Sequence, residues 1–164
     1  MDVYITETSA FLPNDPVENH QIEGILGSVT KRSSRIKKLV LQNNGINKRY
    51  YAIDPRTGKA THTNAQLASE AIRRLLNSSG ISTDHIQLLA CGTSVPDQIM
   101  PGHASMVHAE TGIPPCEIVS CAGVCCSGSS AIKYAFANIS AGFSRAAIAS
   151  ASEAASSYIR KKNY

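Results

Sequence analysis

The stretch from residue 117 to 141 constrains the fold more than any other part of this chain. A short apolar strand, Glu117 to Ser120, runs into a turn rich in Gly and Cys, Cys121-Ala122-Gly123-Val124-Cys125-Cys126-Ser127-Gly128. From about Cys126 to Ala141 the residues read as a helix of Ala, Ser, Ile, Tyr and Phe, with only Lys133 and Asn138 strongly polar. Such a helix is expected to be buried on most sides, and its small residues allow neighbours to approach closely. A thiol in its first turn sits beside unsatisfied backbone N–H groups at the positive end of the helix dipole, which favours thiolate. The arrangement expected is a nucleophilic cysteine at the bottom of a pocket.

The remaining elements alternate. Thr63-Asn64-Ala65-Gln66 is a capping box, and Leu67, Ala68, Ala71, Ile72, Leu75 and Leu76 form an amphipathic stripe that Gly80 ends. Ile86 to Cys91 is a nearly continuous apolar run, the mark of a buried parallel strand. Gly102 to Thr111 reads as a helix stopped at Gly112-Ile113-Pro114-Pro115, and Arg145 to Ser152 as a strand. The pattern predicts an α/β fold, a mainly parallel sheet with helices on both faces. Nearer the start, Val3 to Ile5 reads as a strand. Asp15-Pro16-Val17-Glu18 reads as the opening of a helix whose apolar face is Ile22, Ile25 and Leu26, ended by Gly27.

Residues 28–60 read as a basic, irregular insertion. Nine of the sixteen Lys and Arg residues fall there, against the single acid Asp54. Clustered charge of this kind suits either a solvated loop or a docking surface for an acidic partner. Nucleic acid is the poorer fit, since Tyr50 and Tyr51 are the only aromatics there that could stack on bases. The sequence holds no apolar run long enough to span a bilayer and Met1 to Tyr4 lacks the pattern of a signal peptide. Five cysteines clustered late do not suggest a disulfide framework, and the cytoplasm is the expected compartment. Cys116, Cys121, Cys125 and Cys126 lack a usual zinc spacing, so no metal is expected. His103 and His108, five apart, do not share a helix face and read as surface or interface histidines.

Several segments together resemble a known family. Cys125-Cys126-Ser127-Gly128-Ser129-Ser130-Ala131 matches the C-x-S-G-x-x-A nucleophile turn of the thiolase superfamily. The segments at 5–17, Gly45 to Tyr50, Leu88 to Pro101 and Arg145 to Glu153 resemble, in order, elements of its beta-ketoacyl-acyl carrier protein synthase III branch. The resemblance covers nearly the whole chain and the N-terminal half of the family. It implies that residues 1–164 are one half of a five-layer αβαβα thiolase-like fold, with the C-terminal half absent from this chain.

The function implied is condensation. An acyl group would be taken onto a cysteine as a thioester, then joined by decarboxylative Claisen condensation to a partner carried on a phosphopantetheine thioester. Cys125 is the nucleophile in the register that needs no gap across the helix. The runner-up, Cys126, requires a one-residue deletion there, rotating later side chains by about 100°. The resemblance also implies substrate contacts at Gly128 and at Met100, the residue before the loop proline, which would enter a partner subunit's acyl pocket in a homodimer. Lys31, Arg32, Lys37 and Lys38 would dock acyl carrier protein. Asn43 and Leu39 stand where the family usually has an Arg and a Trp that hold coenzyme A, so a carrier-bound donor is expected. The His and Asn that stabilise the enolate would come from the C-terminal half or a partner chain. A non-catalytic ketosynthase subunit and a cysteine hydrolase using His103 or His108 are the alternatives.

Overall fold

A computed structural model describes residues 2–27 and 34–159, with backbone only for 34–37. The chain divides into two compact units, one of residues 1–11 and 63–153, the other of residues 12–62 and 154–164. In chain order the elements are β1 (Val17–Glu18), α1 (Ile22–Leu26), α2 (Ser34–Asn43), β2 (Lys48–Arg49), α3 (Asn64–Ser79), β3 (Leu88–Gly92), α4 (His103–Thr111), β4 (Glu117–Cys121), α5 (Ser127–Ser140) and β5 (Ala147–Ala151).

The larger unit is built on a parallel sheet of order β4-β3-β5. Its middle strand is the apolar run anticipated from sequence, and all five of its residues are buried. From β3 the chain crosses to β4 through α4, then returns past β3 to β5 through α5. Crossovers that travel in opposite directions, both right-handed, lay their helices on opposite faces of the sheet. Side chains alternate accordingly. Leu89 and Cys91 join Ala65, Ala68, Ile72, Ala104 and Val107 in a core with α3 and α4. Gly92 faces α5 instead, since a Cβ added there would point at the Ser127–Gly128 peptide. Each fully buried Leu, Val or Ile in that core contributes about 1.5–3 kcal/mol.

The ends of α3 follow local rules. Thr63 Oγ1 accepts the Gln66 N–H at 3.1 Å, and Gln66 Oε1 accepts the Thr63 N–H at 3.0 Å, a complete capping box. Asp97, from the loop after β3, adds a second cap. Its carboxylate oxygens accept the N–H groups of Asn64 and Ala65 at 2.7 and 2.8 Å. Gly80 closes the helix at φ 67°, a conformation open to glycine without strain.

Helix α5 is buried along one face within this chain, through Ser127, Ala131, Ala135 and Asn138. Its large apolar residues point away from the sheet, with Ile132 57% and Phe136 56% exposed. Small residues at i, i+4 and i+8 seat the helix closely on β3 and β5, which leaves the bulky ones on the outer face.

The smaller unit departs from expectation. Asp15 and Pro16 do not open a helix, because Val17 and Glu18 pair antiparallel with Arg49 and Lys48. The helix begins only at Ile22, where Gln21 is the N-cap and makes no side-chain cap bond. In the larger unit, no strand forms at Val3 to Ile5. The basic stretch 28–60 is not irregular throughout, since it contains the ten-residue α2. Asn14 ties this unit together, its amide donating to Tyr51 O at 2.7 Å and Thr61 Oγ1 at 3.0 Å.

Candidate active site

The turn between β4 and α5 is strained and heavily supported. Val124 has φ 49°, a left-handed conformation that is an outlier for a β-branched residue and costs about 1–3 kcal/mol. Its carbonyl oxygen is held by three donors. Ser94 Oγ donates at 2.7 Å, Ser127 Oγ at 2.9 Å, and the Ser127 backbone N–H also points to it. Val124 to Cys126 form a single 3-10 turn that leads into α5. The nucleophile candidates therefore stand just ahead of the α-helix, with Cys126 at its N-cap, and not within its first turn.

The five thiols fall into two groups. Cys125 and Cys126 are exposed, whereas Cys91 is buried and Cys116 and Cys121 are partly so. Burial pushes the Cys91 thiol up to about 11 and raises Cys116 and Cys121 as well. Neither candidate lies at the bottom of a pocket within this chain, because the outer side of α5 is uncovered. The two differ in their backbones. The Cys126 N–H is bonded to Gly123 O at 3.0 Å, while the Cys125 N–H has no partner among the described residues.

Around this turn lies a polar cluster at the C-terminal ends of the parallel strands, the usual place for sites on open α/β sheets. The Ser94 N–H donates to Glu153 Oε1 at 2.5 Å, so a residue following β3 is seated on one that follows β5. Asn64 Nδ2 donates to Thr93 Oγ1 at 2.7 Å and Val95 O at 2.9 Å. His103 is 2% exposed, with Nε2 3.2 Å from Ser152 Oγ and no partner for Nδ1 among the described residues. Burial lowers its pKa, against the opposing charges of Asp97 and Glu153. His103 is therefore a core histidine and not a surface one. His108 is half-buried and meets Pro114 O at 3.2 Å. Neither ring has Cys125 among its hydrogen-bond partners.

No family model matches the chain. Its sequence is 29% identical to beta-ketoacyl-[acyl-carrier-protein] synthase III of Bordetella petrii over 144 residues, 88% of this chain and 42% of that protein. The same-named protein of Rhizorhabdus wittichii is 36% identical over 86 residues, 52% of this chain and 25% of that one. The chain is a relative of the beta-ketoacyl-[acyl-carrier-protein] synthase III proteins. It spans about two fifths of the Bordetella synthase III. Among solved structures, synthase III of Thermus thermophilus superposes with a TM-score of 0.74 at 22% identity, covering 93% of this chain and 43% of that one. The tetronic acid condensing enzyme AbyA1 superposes with a TM-score of 0.70 at 23% identity, covering 93% and 46%. The fold is the α/β fold of the thiolase-like enzymes, over part of its extent.

The other residues singled out from the synthase III resemblance have different local settings. Met100 is 83% exposed beside Ile99, 90% exposed, at the tip of the loop after β3, so it does not pack locally. Gly128 has a packing role: a Cβ there would lie 2.8 Å from the Ala151 Cβ. Of the basic residues, Lys31 and Arg32 lie outside the described residues, Lys37 is described only as backbone on α2, and Lys38 is exposed. Ser94 and Asp97 were missed by the sequence reading. Their only sequence signal is position, in the loop directly after a buried parallel strand.

Proposed function

We propose that this chain is the nucleophile-bearing part of a condensing acyltransferase, with Cys125 as the nucleophile. The Cys125 thiolate attacks the carbonyl of an acyl thioester, the pantetheine thiolate leaves, and the acyl group remains on the cysteine sulfur. A carboxylated thioester partner then loses carbon dioxide. Its enolate carbon attacks the acyl carbonyl, and the Cys125 thiolate departs. The observation that carries this reading is the pairing, on one residue, of an exposed thiol with a backbone N–H that has no partner among the described residues. That N–H is available to the oxyanion of both tetrahedral intermediates. It also favours Cys125 over Cys126, whose N–H is already engaged.

The remaining parts of the reaction are assigned beyond this chain. The His and Asn that stabilise the enolate come from the C-terminal part of a longer protein or from a partner chain. The same addition covers Ile132 and Phe136, an apolar surface of the kind soluble proteins keep small. The donor is a phosphopantetheine thioester on acyl carrier protein, drawn to the basic residues Lys31, Arg32, Lys37 and Lys38. The protein acts as a homodimer in the cytoplasm. Among the described residues no helix is long and apolar enough to cross a membrane. A cysteine hydrolase is the poorer reading, since His103 is engaged with Ser152.

The test is to incubate the chain with an acyl-pantetheine thioester and map the adduct by mass. The expected result is an acyl group on Cys125 with no condensation product from the chain alone. An adduct only on Cys126 overturns the choice of nucleophile. Beta-ketoacyl product formed by a stable monomer overturns the division of labour.

A further inference from the structure

We propose that Ser94 is a positioning residue for the oxyanion donor, acting through the carbonyl of Val124. This inference rests on the acyltransferase reading above. In a trans peptide the C=O and N–H of one unit point in opposite directions. The unit joining Val124 to Cys125 therefore has its two ends linked. Wherever the Val124 oxygen is pinned, the Cys125 N–H is aimed the other way.

The oxygen is pinned on one side by Ser94 Oγ at 2.7 Å and by Ser127 Oγ at 2.9 Å, with the Ser127 N–H as a third donor. Two of these belong to the turn itself. Ser94 alone comes from elsewhere, thirty positions earlier in the chain, and its own N–H is seated on Glu153 Oε1. That contact joins a neutral donor to a carboxylate, one of the stronger kinds of hydrogen bond. The loops that follow all three parallel strands thus converge on one peptide plane. Donors on a carbonyl also polarise the amide, which makes the N–H at its far end a better donor. Ser94 thereby fixes both the direction and the strength of the Cys125 N–H, and it steadies the left-handed φ of 49° at Val124.

The test compares two reactions at one sulfur. Acylation by a small acyl thioester passes through an oxyanion; alkylation by iodoacetamide does not. Loss of a direct oxyanion donor slows reactions by about 100- to 1,000-fold, so loosening one through its peptide is expected to slow acylation by about 10-fold. Ser94→Ala should show that loss while alkylation of Cys125 keeps its rate. Ser94→Thr, which retains the hydroxyl, should restore acylation. A second variant, Glu153→Gln, weakens the bond that seats Ser94 without touching the Val124 carbonyl. It should slow acylation by a smaller factor, again with alkylation unchanged.

Equal slowing of both reactions in Ser94→Ala, or of neither, overturns the proposal. If Ser94→Ala does not fold, Glu153→Gln decides by the same two outcomes. Failure of the unaltered chain to acylate at Cys125, with alkylation intact, removes the acyltransferase reading and this proposal together. Normal acylation of the unaltered chain with no effect of either variant removes only this proposal.

Discussion

A Cβ placed on Gly92 would lie 2.4 Å from the carbonyl oxygen of Ser127 and 2.8 Å from the Gly128 nitrogen. The last residue of β3 thus touches the backbone of α5 at its first turn. Backbone atoms cannot rotate aside as a side-chain tip can. Gly92→Ala should therefore shift α5 outward and destabilise the chain by about 1–3 kcal/mol, as overpacking does. Urea unfolding of the variant would measure the loss. An unchanged midpoint would show that α5 can move without penalty.

Cys91 gives the chain a dependence on alkaline pH. Burial raises the thiol from 9.0 to about 11, opposed by the nearby Ser150 side chain and reinforced by Cys121 and Cys116. Below the unfolded value both states keep the proton. Between about pH 9 and 11 the unfolded chain releases it while the folded chain retains it, so stability falls as pH rises. The slope from this one group is at most about 1.4 kcal/mol per pH unit. Denaturation series across that window should show the decline, and Cys91→Ala should make it shallower. An identical slope in the variant would assign the decline to other groups.

Under the proposed acyltransferase reading, Met100 offers a test of acyl specificity in the longer protein. Its exposure of 83% leaves the side chain free to contact something outside this chain. A flexible thioether tolerates longer and less regular chains than an aromatic ring would. Met100→Phe should shorten the acyl chains accepted, read as a fall in kcat/KM for long donors while short ones keep theirs. An unchanged chain-length profile would mean that the loop tip does not reach the acyl group.

What was legible in the sequence was whatever neighbouring residues decide. The capping box at Thr63 and Gln66 needs only a three-residue span, and both of its bonds are present. The buried strand appeared as Ile86 to Cys91 and formed as Leu88–Gly92 because a central parallel strand has two apolar faces to fill. Helix α5 began within one residue of its expected start. What failed depended on distant partners. Asp15-Pro16 is a good local start for a helix, yet pairing of the next two residues with Lys48 and Arg49 prevailed. His103 reads as a surface or interface histidine, yet it is buried, with Nε2 3.2 Å from the hydroxyl of Ser152, 49 positions away. The supports of the Cys125 turn were hidden for the same reason, since Ser94 reaches Val124 across thirty residues.

The contact between Gly128 and Ala151 leaves space for one methyl group where two would meet at 2.8 Å. The two positions are therefore not free to vary independently over evolutionary time. A lineage could exchange glycine for alanine at 128 only if position 151 had first lost its own side chain. The seat of α5 on β5 is thus inherited as a pair of positions, not as either residue alone.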